Sequence, residues 1–459
     1  MNNSLLEYYR CPEQYVSVSL KGPISGRKGY FRFGQNTLYG RILGGGTTTS
    51  PTDTLRDVLP DGSVENGTIY LSFDPTEVVK GLRYENYHTD SNGFHPASSL
   101  VGKTYYFVRP ILPVKVRKHL QRIRLSDWRE FAFPNWPVDR TVDNTLGDLL
   151  LMSLKARNAS EIPFIWFWPN GASSCALLTH DVEATAGRDF CSSLMDIDDA
   201  FGLKASFQVV PEVRYEVPTG YLEEIRRRGF EINVQDLNHD GCLFRERQEF
   251  LLRAQKINAY KKEFQAVGFR SAVLYRRQEW YDALDFSYDM SVPNVAHLDP
   301  QRGGCCTIMP YFVGNMVELP VTMTQDYSLF HILDDYSIDL WKRQMQLVME
   351  KHGLMNFIIH PDYITEKPER ATYENLLRYL KELSAERNIW LPLPRDAANW
   401  WRERSQMKLV EKNGAWQIEG RGSERARIAY ASEKDGQLIF SFESKKGRGE
   451  RLKGIGARP

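Results

Sequence analysis

Cysteine is scarce in this chain: six in 459 residues, with no CxxC pair among Cys11, Cys175, Cys191, Cys242, Cys305 and Cys306. That is too few for a disulfide-built scaffold and the wrong spacing for a cysteine-rich zinc module. The adjacent Cys305-Cys306 follow Gly303-Gly304 and read either as small groups filling a tight loop or as a redox pair. Excess charge of either sign is also missing, since 59 basic residues face 58 acidic ones. No bulk field therefore exists to hold nucleic acid or a membrane surface. No stretch approaches the roughly 18 apolar residues of a membrane span. Met1 to Cys11 lacks a basic segment leading into an apolar run, so the expected location is cytoplasmic. Gly44-Gly45-Gly46 is followed by no Gly-Lys-Ser/Thr, which excludes a phosphate loop.

What the chain does have is apolar material, 42% hydrophobic and 12% aromatic, over a length exceeding one ordinary domain. Up to residue 160, short runs such as Tyr15–Leu20, Tyr30–Phe33, Thr68–Phe73 and Thr104–Val108 stand between glycine and proline clusters, which predicts a β-rich N-terminal domain. Over 161–403 the rhythm changes. Apolar strand candidates at Ala205–Val210, Phe230–Val234, Phe269–Leu274, Val317–Val321 and Asn356–Ile359 alternate with helices expected over Glu246–Val267, Ile338–His352 and Tyr373–Arg387. That alternation implies parallel βαβ units and a barrel-like α/β domain. Over 404–459, hairpin turns at Asn413-Gly414 and Asp435-Gly436 predict a small β appendage with a basic tail from Lys445. The basic run Arg109–Arg129 reads as solvated surface, or as a grip for an anionic glycan.

The most informative stretch is Thr179-His-Asp-Val-Glu183, delivered by the apolar run Cys175–Leu178 to a strand end. A strand alternates its faces, so Asp181 and Glu183 point the same way. Two like charges so placed call for a cation or a shared proton between them, unless the segment is simply an acidic loop capping the next helix. Further strand ends carry polar groups: Gln235 and Asn238-His-Asp-Gly241, then Arg270, then Asp289, then His360-Pro-Asp362. Five such clusters at the same relative place suggest one site at one end of a barrel.

In that order these segments resemble the five motifs of the polysaccharide deacetylase family, the NodB-homology or carbohydrate esterase family 4 domain. The resemblance covers residues 172 to 400, about half the chain. It implies a distorted (β/α)7 barrel and metal-dependent hydrolysis of a C–N bond outside peptides. Thr179–Glu183 is similar to the first motif, implying Asp181 as catalytic base and Glu183 as a metal carboxylate, with Val182 where the commoner pattern has its metal aspartate. Glu231–His239 is similar to the second, with His239 at the second metal histidine and Gln235 at the first. Arg270 matches the third motif's arginine, although Ala272 and Val273 replace its proline and tyrosine. Asp289 matches the fourth motif's aspartate, and His360 the fifth motif's general acid.

The function so implied is an N-deacetylase acting on an acetylated sugar or polysaccharide intermediate, with zinc, or cobalt, nickel or iron, as its cation. A non-catalytic glycan-binding or scaffolding relative is the alternative that Gln235 raises, because an amide oxygen is a weaker zinc ligand than imidazole. A hydrolase of another C–N bond on the same barrel is the third. Trp280, Tyr281, His297 and Tyr311 lie in connections and offer either stacking faces to sugars or packing groups.

Overall fold

The computed structural model describes residues 4–24, 26–89 and 125–444. The basic tail, the strand expected over Thr104–Val108 and most of the run Arg109–Arg129 lie outside the described residues. The described chain falls into two compact units. One is drawn from Met1–Arg83, Arg140–Gly171 and Trp400–Pro459, the other from Tyr84–Asp139 and Ala172–Asn399.

The first unit combines short strands with helices, the longest of them Thr141–Ala156. Gly29–Phe33 pairs with Asn36–Gly40, and Thr68–Leu71 lies between Val18–Leu20 and Ser63–Glu65. Both expected hairpins are present, Lys408–Lys412 with Ala415–Glu419 and Ile428–Lys434 with Gln437–Ser441. Their turns carry positive φ at both central residues, 52° and 75° at Asn413-Gly414 and 51° and 77° at Asp435-Gly436. Asn-Gly and Asp-Gly tolerate that conformation, which matches the twist of the flanking strands. Arg404, 1% exposed, ties the unit's segments together by donating to the carbonyls of Tyr8 (2.9 Å), Ile165 (2.7 Å) and Trp166 (2.9 Å).

The second unit is a curled (β/α) barrel, the fold class expected. Its strands are β1 (Ser174–Val182), β2 (Ser206–Val209), β3 (Glu231–Gln235), β4 (Gly268–Arg270), β5 (Tyr288–Asp289), β6 (Tyr311–Val313), β7 (Met316–Glu318), β8 (Leu354–Ile359) and β9 (Ile389–Trp390). They lie in the order β6-β7-β5-β4-β3-β2-β1-β8, with β9 also paired to β1. All neighbours are parallel except β6 and β7. Helices α1 (Thr185–Phe201), α2 (Thr219–Arg227), α3 (Arg247–Glu263), α4 (Asp339–Met349) and α5 (Lys367–Arg387) connect them. Every residue of β1, β3 and β8 is buried, as continuous runs in a parallel sheet covered on both faces must be.

β8 is joined to the segments across the sheet's open side by backbone bonds, Leu354 N to Ile308 O (2.8 Å) and Met323 N to Asn356 O (3.3 Å), and by side chains. Thr322 Oγ1 donates to Leu354 O (2.7 Å), Asn356 N donates back to Thr322 Oγ1 (2.9 Å), and Asn356 Nδ2 donates to Leu319 O (3.0 Å). The curl brings the C-terminal ends of β1, β3, β4 and β8 to one mouth, where barrel enzymes carry their chemistry. At the start of β4 the Tyr288 phenol lies over Gly268, where any Cβ would come within 2.2 Å of the ring. Only glycine permits that approach. The phenol donates to Glu231 Oε1 (2.5 Å), and Arg395 N donates to the other oxygen (3.1 Å).

Burial, against those hydrogen bonds, pushes the Glu231 carboxyl from an ordinary 4.5 up to about 7. The folded state then keeps a proton that the unfolded state has lost, so this group's contribution is fullest below pH 4.5 and is lost as pH rises to about 7. The loss is about 3 kcal/mol, at roughly 1.4 kcal/mol per pH unit. In denaturation at pH 5 and pH 8, Glu231→Gln is expected to lack that part of the decline, whatever its cost at pH 5. An identical decline in both proteins would show that Glu231 does not hold the proton.

Candidate active site

The site begins with two carboxylates at the end of β1. Asp181 and Glu183 face one way, while His180 and Val182 face the helices, as a period of two requires. His180 is fully buried on that outer side, with Nε2 3.0 Å from Asp198 Oδ2. The Tyr373 hydroxyl donates to the other oxygen of Asp198 at 2.5 Å, so α1 and α5 are pinned to β1. Asp181, Glu183 and His360 each offer one ligand atom, all within 4.8 Å of one another.

Arg270, at the end of β4 and 0% exposed, is the cation behind Asp181. Its Nη1 donates to Asp181 Oδ1 (2.5 Å) and Thr179 Oγ1 (2.8 Å), and its Nε to Met290 O (3.0 Å). Burial raises the Asp181 pKa, while Arg270 and His360 pull it back. At the end of β3, Gln235 donates its Nε2 to Asp181 Oδ2 (3.2 Å) and Glu183 Oε1 (3.1 Å), so one amide bridges both carboxylates.

The loop after β3 is set by its own side chains. Asn238 Oδ1 accepts from Asp240 N (3.2 Å), and Asp240 Oδ1 accepts from Cys242 N (2.8 Å) and Arg253 Nη1 (2.8 Å). Asp236 and His239 both take left-handed backbone, φ 54° and 56°. Such residues cluster where surrounding structure over-determines a functional side chain. His239 Nε2 is thereby held 2.7 Å from Glu183 Oε1, an ion-pair distance without hydrogen-bond alignment.

His360 follows β8, with Nε2 3.5 Å from the same oxygen of Glu183. Asp326, fully buried, grips it twice: Oδ1 is 2.6 Å from His360 Nδ1 and Oδ2 accepts from His360 N at 2.7 Å. Burial works against the imidazolium, but Asp326 and Glu183 outweigh it and hold the His360 pKa well above the usual range. Burial likewise raises Glu183, yet His239 and His360 win and keep it well below the ordinary carboxylate range.

Asp289 accepts from Ser291 N (2.9 Å) and Ser291 Oγ (2.7 Å) and lies beside buried Glu318, whose Oε1 accepts from Val292 N (3.0 Å). Burial raises both carboxyls, and Arg270 lowers both, so this pair stands close to the guanidinium that holds Asp181. The carboxylate on His360 is Asp326, which the reading of the sequence did not single out. It sits in a connection after β7 with no local pattern around it. Of the other candidates, Tyr281, His297 and Tyr311 are buried at 2%, 2% and 1% exposure and serve as packing groups. Cys305 and Cys306 are both buried free thiols.

The expected metal set Glu183, His239 and Gln235 does come together around Glu183 Oε1. The fit to a divalent cation rests on buried atoms left without a hydrogen bond: His239 Nδ1 and Nε2 and Gln235 Oε1. A half-turn of the Gln235 amide would exchange its donor for that acceptor. Imidazole and carboxylate together suit zinc and its first-row neighbours.

No family model matches this chain, and no curated protein matches it in sequence. Solved structures similar to it include a protein of Mycobacterium smegmatis assigned as a polysaccharide deacetylase, 19% identical, with a TM-score of 0.43 over 52% of this chain and 93% of that one. One of Pseudomonas aeruginosa PAO1 with the same assignment is 13% identical, with a TM-score of 0.41 over 51% and 93%. The Puue allantoinase is 13% identical, with a TM-score of 0.40 over 51% and 92%.

Removing Arg270 would leave Asp181 buried and uncompensated. Arg270→Met is expected to cost about 3 to 5 kcal/mol in urea denaturation, and Asp181→Asn in the same chain to recover much of it. A single-variant loss under about 1 kcal/mol would mean that the pair is not a buried charge couple.

Proposed function

We propose that the barrel is a metal-dependent N-deacetylase, hydrolysing the acetamide of an acetylated sugar or polysaccharide intermediate. The observation that carries this reading is the convergence on one mouth of a carboxylate backed by arginine, a carboxylate faced by His239, and a histidine backed by aspartate. A divalent cation held by Glu183, His239 and Gln235 Oε1 would polarise the amide carbonyl and make water more acidic. Asp181, kept ionised by Arg270, takes a proton from the attacking water. His360, with Asp326 on Nδ1, presents Nε2 to the departing nitrogen and returns a proton to it as the C–N bond breaks. Asp289 acts at one remove, through Arg270. The site needs no organic cofactor.

A second reading is favoured by one contact. Gln235 Nε2 already donates to both carboxylates, partly doing what a cation would do. A barrel satisfied in this way would be a glycan-binding or scaffolding protein rather than a catalyst.

Elemental mass spectrometry of protein purified without chelator separates the two. The hydrolase is expected to carry about one equivalent of zinc, cobalt, nickel or iron, lost in Glu183→Ala and in His239→Ala. Gln235→His should tighten zinc binding by at least roughly tenfold. Asp181→Asn should keep the metal while acetate release falls by roughly 10²- to 10⁴-fold. Wild-type protein that stays metal-free in excess zinc would favour the binder.

A further inference from the structure

The connection from β2 to α2 contains a strained turn that the fold alone does not explain. Arg214 N donates to Glu212 O at 2.8 Å, closing a three-residue γ-turn on Val213, whose φ is +72°. Positive-φ γ-turns are rare and strained, and a β-branched residue is the least suited to one. Burial does not compensate the strain, because Val213 is 85% exposed, the most exposed large apolar residue among the described residues. The turn is instead held from all sides. Glu212 N donates to Leu237 O (2.9 Å), and Tyr260 OH donates to Glu212 Oε1 (3.2 Å). Tyr215 OH donates to Val182 O (2.6 Å) and accepts from Val210 N (2.9 Å), and Arg188 Nη1 donates to Glu216 O (3.0 Å).

The same clamps place the turn at the rim of the site. Arg214 Nε donates to the carbonyl of Glu183 at 2.8 Å. That bond fixes an exposed side chain and leaves both terminal nitrogens without a hydrogen bond and without a carboxylate at ion-pair distance among the described residues. An arginine pinned through Nε has already lost much of its rotamer freedom and presents a planar pair of donors suited to a carboxylate or phosphate. Beside it stands an apolar group that the chain holds out at a cost in backbone strain. Strain that the surroundings enforce at the edge of a reactive site points to a ligand contact.

We propose that Val213 and Arg214 form a rim subsite for an acetamido sugar that bears an anionic group, Val213 lying against the apolar face of the sugar and Arg214 pairing with a phosphate or carboxylate. This rests on the deacetylase reading only in placing the acetamide in the adjacent site.

The test is equilibrium binding of three probes to the full-length protein as purified: N-acetylglucosamine, N-acetylglucosamine 1-phosphate and N-acetylmuramic acid. At least one anionic sugar is expected to bind about tenfold or more tighter than the neutral one, and which one does so identifies the anion. Arg214→Gln should reduce that advantage to within about twofold. Val213→Gly should weaken all three probes by about threefold or more while the Tm stays level or rises, since glycine accepts the turn without strain. Equal affinity for the three sugars, no binding of any, or an advantage that survives Arg214→Gln would overturn the proposal. So would a Val213→Gly variant with lowered Tm and unchanged affinities, which marks a purely structural turn. Binding as expected without acetate release would remove the hydrolase reading and leave the rim standing.

Discussion

Two carboxylates of one charge, two residues apart on a buried strand end, are the constraint around which the mouth of this barrel is organised. In a medium of low polarity, Asp181 and Glu183 repel each other strongly and are poorly solvated. Each nearby element supplies an answer. β4 brings the Arg270 guanidinium to Asp181, β3 brings an amide to both, and the loop after β3 and the end of β8 bring one imidazole each to Glu183. The pKa directions follow. Glu183, faced by two histidines, is driven low, whereas burial leaves Asp181 raised despite its arginine.

That cluster is stiffened by the groups behind it. Asp326 orients His360 through two bonds to one residue. Thr179 Oγ1 accepts from Arg270 and donates to Phe357 O at 2.6 Å, joining β1 to β8 at the level of the site. Outside the barrel, the His180–Asp198–Tyr373 network holds α1 and α5 against the strand that carries both carboxylates. A site assembled from separate strand ends keeps its geometry only when such supports restrict the side chains that form it.

Much of the fold was legible along the chain, for reasons of period. The alternation of apolar runs with helical segments marked a parallel α/β barrel, and Asn-Gly and Asp-Gly marked both C-terminal hairpins. Boundaries were less legible. The strand expected over Phe269–Leu274 stops at Arg270, because Val273 and Leu274 turn out of the sheet with φ of 58° and 53°. At the site, the period of two put Asp181 and Glu183 on one face, and their ligand atoms do lie within 4.8 Å of each other. Asp326 and the turn at Val213 carried no such period. They matter only because of what lies across from them, and a connection gives no hint of that.

The sequence by itself determined the elements and their faces, since strand alternation, helix spacing and turn residues act within a few positions. It also determined which residue types were available at each strand end. Tertiary structure alone decided which of them meet: Arg270 with Asp181 across 89 positions, Asp326 with His360 across 34, Glu318 beside Asp289. Those meetings depend on strand order, register and the closing of the sheet through Thr322 and Asn356. Long-range pairing fixes such features by the summed burial of the whole barrel, and no local pattern contains them.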